Sequence, residues 1–205
     1  VRVFVDIETS EDGRKILDLG ALKDSGASLH TSLRNDLMAF LSDCTFLIAH
    51  NAIAHDVMYL QEDLDRAGLK MQIIDTLYLS ALLFPGKTSH RLLKDDRIVR
   101  DSLNNPVSDA VKVRELFEDE LAAFSALPSS LKVLYRQLLS PLPGFAGFFA
   151  YVKPDASAPD LSPARIIRDL FGGRICDHAP LDDLIRSSPG ELAFCASFLF
   201  SHRDG

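Results

Sequence analysis

Residues 2–8, RVFVDIE, change character at every step. Val3, Val5 and Ile7 fall on one face of an extended chain, and Phe4, Asp6 and Glu8 fall on the other. This pattern demands a β-strand. The second face then carries two carboxylates side by side. Like charges this close resist joint ionisation unless a cation sits between them, and hard oxygen donors suit Mg²⁺ or Mn²⁺. The competing account, a solvent-facing pair on an edge strand, sits poorly with the apolar residues that surround the two acids.

The segments that follow predict an α/β layer fold. After the turn at Glu11-Asp12-Gly13, residues 15–23 read as a second strand and 28–31 as a short third. Residues 33–41 read as a helix and 45–49 as a buried strand. Residues 54–67 carry Val57, Leu60, Leu64 and Ala67 at helical spacing and stop at Gly68. Residues 72–74 form another short strand, and 75–84 a helix ended by Pro85-Gly86. Asn105-Pro106 supplies an N-cap and a proline at the first helical position, opening a helix that runs to about Ala126. Strands interspersed with helices argue for α/β layers, and the early hairpin spacing argues for a mixed sheet.

The character changes beyond residue 126. Six of the ten prolines lie between residues 128 and 163, around the aromatic cluster Phe145, Phe148, Phe149 and Tyr151. Residues 163–171, 181–186 and 189–200 read as short helices. The expected organisation is a domain over 1–126, then a Pro-rich connection and a small C-terminal helical appendage over 127–205.

Composition narrows the setting. The 205 residues are 47% hydrophobic, enough for a proper core. There is no apolar run of transmembrane length and no signal-peptide pattern, so a soluble, cytoplasmic protein without a membrane partner is expected. The three cysteines, Cys44, Cys176 and Cys195, are too few and too scattered for a disulfide framework and read as small buried apolar residues. Cys176, His178, Cys195 and His202 have the chemistry of a zinc site, but their spacing fits no common finger. The net charge of −7 does not advertise nucleic-acid binding. Locally the balance reverses: Lys87, Arg91, Lys94, Arg97 and Arg100 stand against Asp95 and Asp96. That run serves either as a phosphate-facing loop or as an ordinary solvated one.

Two further aspartates complete a set of four acids. Asp56, in AHNAIAHDVMYL, opens a helix in line with Leu60 and Leu64, which turns its carboxylate inward. Asp109, in LNNPVSDAVKV, lies in the first turns of its helix in line with Val113, Leu116 and Glu120. Taken singly, either is also explained as a first-turn aspartate favoured by the helix dipole.

Together, FVDIETS, AHNAIAHDVMYL and NNPVSDA resemble the three exonuclease motifs of the DnaQ-like (DEDD) 3′→5′ exonuclease family, and IDTLYLSALLFP resembles the segment between its second and third motifs. The resemblance covers about residues 1–120. It implies a ribonuclease H-like fold and a two-metal site for Mg²⁺ or Mn²⁺. Asp6, Glu8 and Asp109 would hold one ion, and Asp6 with Asp56 the other. The implied reaction is hydrolysis of the terminal phosphodiester of a nucleic-acid 3′ end, with DNA favoured over RNA as the partner. Thr9 would lie near the incoming 3′ end, and Asn51 would orient the substrate or Asp56. His90, in SHRLLKDD, is similar to the family's His-x-Leu segment, which packs or contacts substrate; as a catalytic base it is set against an ordinary loop histidine.

One position departs from the family. Its two branches place a histidine five residues before the last aspartate or a tyrosine four before it, where this chain has Asn104 and Asn105. An amide accepts no proton at neutral pH, and a general base is worth roughly 10²- to 10⁴-fold. Asn104 is then a substrate-contacting residue or a plain turn residue before the cap. Two segments, 89–117 and 172–200, are also similar to exonuclease-like modules fused ahead of RecQ-type helicase domains, which implies a helicase partner domain in a longer chain. No Walker A motif occurs here, so the chain is not itself the motor. Three functions follow from this reading: a DNA exonuclease, a catalytically impaired module that binds a 3′ end or a helicase partner, and an RNase of the same fold.

Overall fold

The alternating segment becomes the central strand of a mixed five-stranded sheet. The computed structural model describes residues 1–92, 105–154 and 161–202. Strands β1 (Arg2–Thr9), β2 (Ile16–Lys23), β3 (Ser28–Thr31), β4 (Phe46–Ala49) and β5 (Gln72–Asp75) lie in the order β3-β2-β1-β4-β5. β2 runs antiparallel to both β1 and β3, and β4 runs parallel to both β1 and β5. The hairpins β1-β2-β3 need only tight turns. The parallel pairs need crossovers, supplied by helices α1 (Arg34–Leu41) and α2 (Asp56–Ala67).

The two faces of β1 meet different partners. Val3, Val5 and Ile7 join Leu19, Ala21, Leu47 and Ala49 in a core closed by Leu37 and Leu41 of α1 and Leu60 and Leu64 of α2. Phe4 joins Leu22, Ile48 and Ile74 in a second core on the opposite face. Helices α3 (Thr76–Leu83) and α4 (Pro106–Ala126) cover that face, with α4 contributing Ala110, Val113 and Phe117. Asp6 and Glu8 share the Phe4 side by strand periodicity, so they look toward α4.

Five further helices follow: α5 (Ser129–Leu139), α6 (Ala146–Tyr151), α7 (Pro163–Phe171), α8 (Leu181–Ser187) and α9 (Pro189–Ser201). The stretch expected to be only a Pro-rich connection therefore contains two helices. Among the described residues, Pro128 stands at the N-cap position of α5, and Pro141 and Pro143 lie in the turn before α6, so none interrupts a helix interior. The core on the α4 side continues without interruption into this region through Leu131, Leu134, Phe148, Ile167 and Ala193. Gly147 of α6 makes the join possible, because a Cβ there would come within 2.1 Å of the Ile73 carbonyl oxygen of β5. No helix of the described residues is long and apolar enough to cross a membrane.

Candidate metal centre

The position of α4 decides whether the acids meet. Asn105 caps the helix by accepting from the Val107 amide at 3.0 Å, and Pro106 occupies the first turn. That turn rests directly on β2 at Gly20. A Cβ at Gly20 would fall 2.2 Å from the Pro106 carbonyl carbon, so only glycine admits the helix at this depth. Gly20 is also the ladder partner of Asp6. The far half of α4 is tied to the start of β1, where the Arg2 guanidinium bonds Glu118 at 2.8 Å and Asp24 at 2.9 Å.

Held this way, α4 delivers Asp109 to the strand acids. One carboxylate oxygen from each of Asp6, Glu8 and Asp109 lies within 4.8 Å of the others. Trans oxygens around an octahedral Mg²⁺ stand about 4.2 Å apart, twice its roughly 2.1 Å bond. The three donors are therefore close to a coordinating arrangement and of the type a hard divalent ion takes. Asp109 is buried, and the two strand acids are half-exposed, which leaves an open side.

The opposite wall is a turn stapled by a third aspartate. The Asp75 carboxylate, at the end of β5, accepts from the amides of Asn51 at 3.1 Å, Ile53 at 3.0 Å and Leu77 at 2.9 Å. It thereby caps α3 and fixes the chain leaving β4 at once. Burial pushes the Asp75 carboxyl above its ordinary range, against the pull of these amides. Asn51 adopts φ +67°, a left-handed conformation that asparagine tolerates better than most residues. His50 contacts the Thr76 hydroxyl at 3.0 Å through Nδ1, and burial lowers its pKa to about 4, so it is neutral at pH 7. Asp6, Asp109, His50, Asn51, Leu77, Arg91 and Leu92 enclose a cleft of about 340 Å³.

The remaining candidates occupy distinct places. Asp56 is buried as its helical register predicts, but it stands outside the three-acid cluster. It faces His55 Nδ1 at 3.8 Å, and burial raises its pKa. His55 precedes α2 in a non-helical conformation. Asp56, followed by Asp6 and Glu8, holds its pKa up. His90 turns to the Ser80 hydroxyl at 2.9 Å and lines a neighbouring cleft with Lys87, Arg91 and Lys112 rather than the one beside Asp6. Thr9 closes β1 opposite Ile16, beside a register shift. Asn104, Lys94, Asp95, Asp96, Arg97 and Arg100 lie outside the described residues.

Phe4 is fully buried, and the Tyr59 hydroxyl donates to the Gly13 carbonyl at 2.9 Å. One expectation changes. Cys176 and Cys195 are exposed, not buried. Cys176, His178, Cys195 and His202 form no metal-ligand group; among the described residues only Asp6, Glu8 and Asp109 do.

Three contributors went unmarked by sequence reasoning. Asp75 could have been found as an aspartate just before an apolar helix, the usual cap position. Lys112, whose Nζ lies 3.2 Å from Asp109 Oδ1, was visible as an i,i+3 pair. His50 becomes a site residue only through the fold, which also brings Arg91 of the basic run to the cleft beside Asp6. The chain matches no protein-family model, no curated protein and no solved structure.

Proposed function

We propose that this protein is a metal-dependent 3′→5′ exonuclease of the DnaQ-like type, with a ribonuclease H-like core, acting on single-stranded or frayed DNA ends. The observation that carries the reading is the convergence of Asp6, Glu8 and Asp109, from a strand and a distant helix, to within 4.8 Å beside an open cleft. The mixed sheet with helices on both faces supports the same reading.

The chain's own groups divide the work. Asp6, Glu8 and Asp109 would hold one Mg²⁺ or Mn²⁺, and Asp6 with Asp56 would support a second. Ions bound there would lower the pKa of an attacking water and stabilise the departing 3′ oxygen. Arg91 faces the cleft with a guanidinium suited to a phosphate. Asn51 offers an amide, and Leu77 and Leu92 offer apolar surface for a sugar or base. Neutral His50 is engaged with Thr76, and His90 with Ser80. Neither occupies the position of the family histidine, where the sequence has Asn104. That substitution favours a second reading, a slow or impaired site that retains 3′-end or helicase-partner binding.

End-labelled single-stranded DNA, incubated with Mg²⁺ and with Mn²⁺, separates the two. Laddering that Asp6→Ala abolishes supports the nuclease. Cleavage appearing only in Asn104→His supports the impaired site. No cleavage by either protein, with no DNA binding, refutes both. An RNA oligonucleotide of the same sequence tests the RNase alternative.

A further inference from the structure

Lys112 lies one turn beyond Asp109 on α4, and its ammonium sits 3.2 Å from Asp109 Oδ1. Two directions are open to a lysine at this position. Glu115, three residues further on and exposed, lines the same cleft as Lys112, and a Lys112–Glu115 pair would be an ordinary surface contact. The side chain turns back instead, to a carboxylate whose side chain is only 11% exposed, and is itself 25% exposed. One carboxylate oxygen from each of three acids lies within 4.8 Å of the others, so the acids repel one another, and an ammonium paired with one of them lowers that repulsion most where water screens it least.

We propose that Lys112 is the built-in counter-ion of the carboxylate cluster: it neutralises Asp109 before metal arrives and competes with the divalent ion for that carboxylate. The inference rests on the metal-site reading above and concerns its regulation. An ion binding the Asp109 carboxylate must displace Lys112 or work against its charge. The site is thereby held together when empty, and its metal affinity is set below what three carboxylates alone would give. Partial exposure leaves Lys112 free to swing out, so the competition is reversible. Asp109 stays fixed by the seating of α4 on Gly20.

The test measures Mn²⁺ binding by electron paramagnetic resonance of the free ion. It compares the wild-type chain with Lys112→Met, Lys112→Arg, Asp6→Asn and the control Lys132→Met, whose lysine bonds the Ser125 carbonyl elsewhere. Lys112→Met should tighten binding about tenfold, the scale of one partly buried ion pair. Lys112→Arg and Lys132→Met should stay within about twofold of wild type. In EDTA, Lys112→Met should melt below wild type, and saturating Mn²⁺ should remove the difference. Mn²⁺ binding that Asp6→Asn abolishes but Lys112→Met leaves unchanged or weakens overturns the inference and spares the metal site. Binding by Lys112→Met alone supports it in its strongest form. No binding by either overturns both. Circular dichroism confirms that each variant is folded.

Discussion

Glu120 is a buried acid whose cost can be measured. It lies on α4, fully buried, and neither carboxylate oxygen has a hydrogen-bond partner among the described residues. Burial, followed by the nearby charge of Asp75, raises its pKa from 4.5 to about 10, while Lys87 pulls weakly the other way. The folded chain therefore holds Glu120 protonated at neutral pH, whereas the unfolded chain ionises it. At pH 7 the difference costs about 3 kcal/mol, from 2.5 pH units above 4.5 at ~1.36 kcal/mol each. The sign follows from linkage. Below pH 4.5 both states are protonated and the cost vanishes, and stability is lost progressively as pH rises from there toward 10. Glu120→Met keeps the length and helix propensity and removes the carboxyl. It should stabilise the fold by about 3 kcal/mol at pH 7, and the gain should grow by about 2.7 kcal/mol between pH 6 and pH 8. Urea denaturation of both proteins at pH 6, 7 and 8 reads this directly, because every other titrating group cancels in the difference. A gain independent of pH, or a variant less stable than wild type at pH 8, would show that Glu120 is ionised and paired, and the reasoning would fail.

Other consequences concern the geometry of the site. Gly20→Ala puts a Cβ 2.2 Å from the Pro106 carbonyl carbon, so it should lift the first turn of α4, cost about 1–3 kcal/mol and abolish Mn²⁺ binding; thermal melts and metal titration check both. Asp75→Ala strips the acceptor from the Asn51, Ile53 and Leu77 amides and should destabilise by about 3 kcal/mol in urea, at roughly 1 kcal/mol per bond. Asn51→Gly should be tolerated, whereas Asn51→Val, forced to φ +67°, should cost about 1–2 kcal/mol in the same assay.

Much of the framework was legible because it is encoded locally. The two-residue period of β1, the Asn105-Pro106 cap and the Gly68 stop each act within a few residues, and each element formed as its pattern requires. Helices α5 and α6 were missed because prolines obscured a helical pattern they in fact delimit.

The sequence alone determined the donors. Four carboxylates, their strand and helix contexts and the amide at Asn104 are properties of the chain, since residue type and local period set which groups exist and which face they occupy. The tertiary structure decided which of them meet. Asp109 reaches Asp6 and Glu8 because glycine at position 20 lets α4 sit directly on the sheet, while Asp56 remains beside His55. The cleft exists because one buried carboxylate, Asp75, ties the turn after β4 to the start of α3. Contacts of that range depend on how layers stack, and no local pattern records the depth at which one helix settles on a sheet.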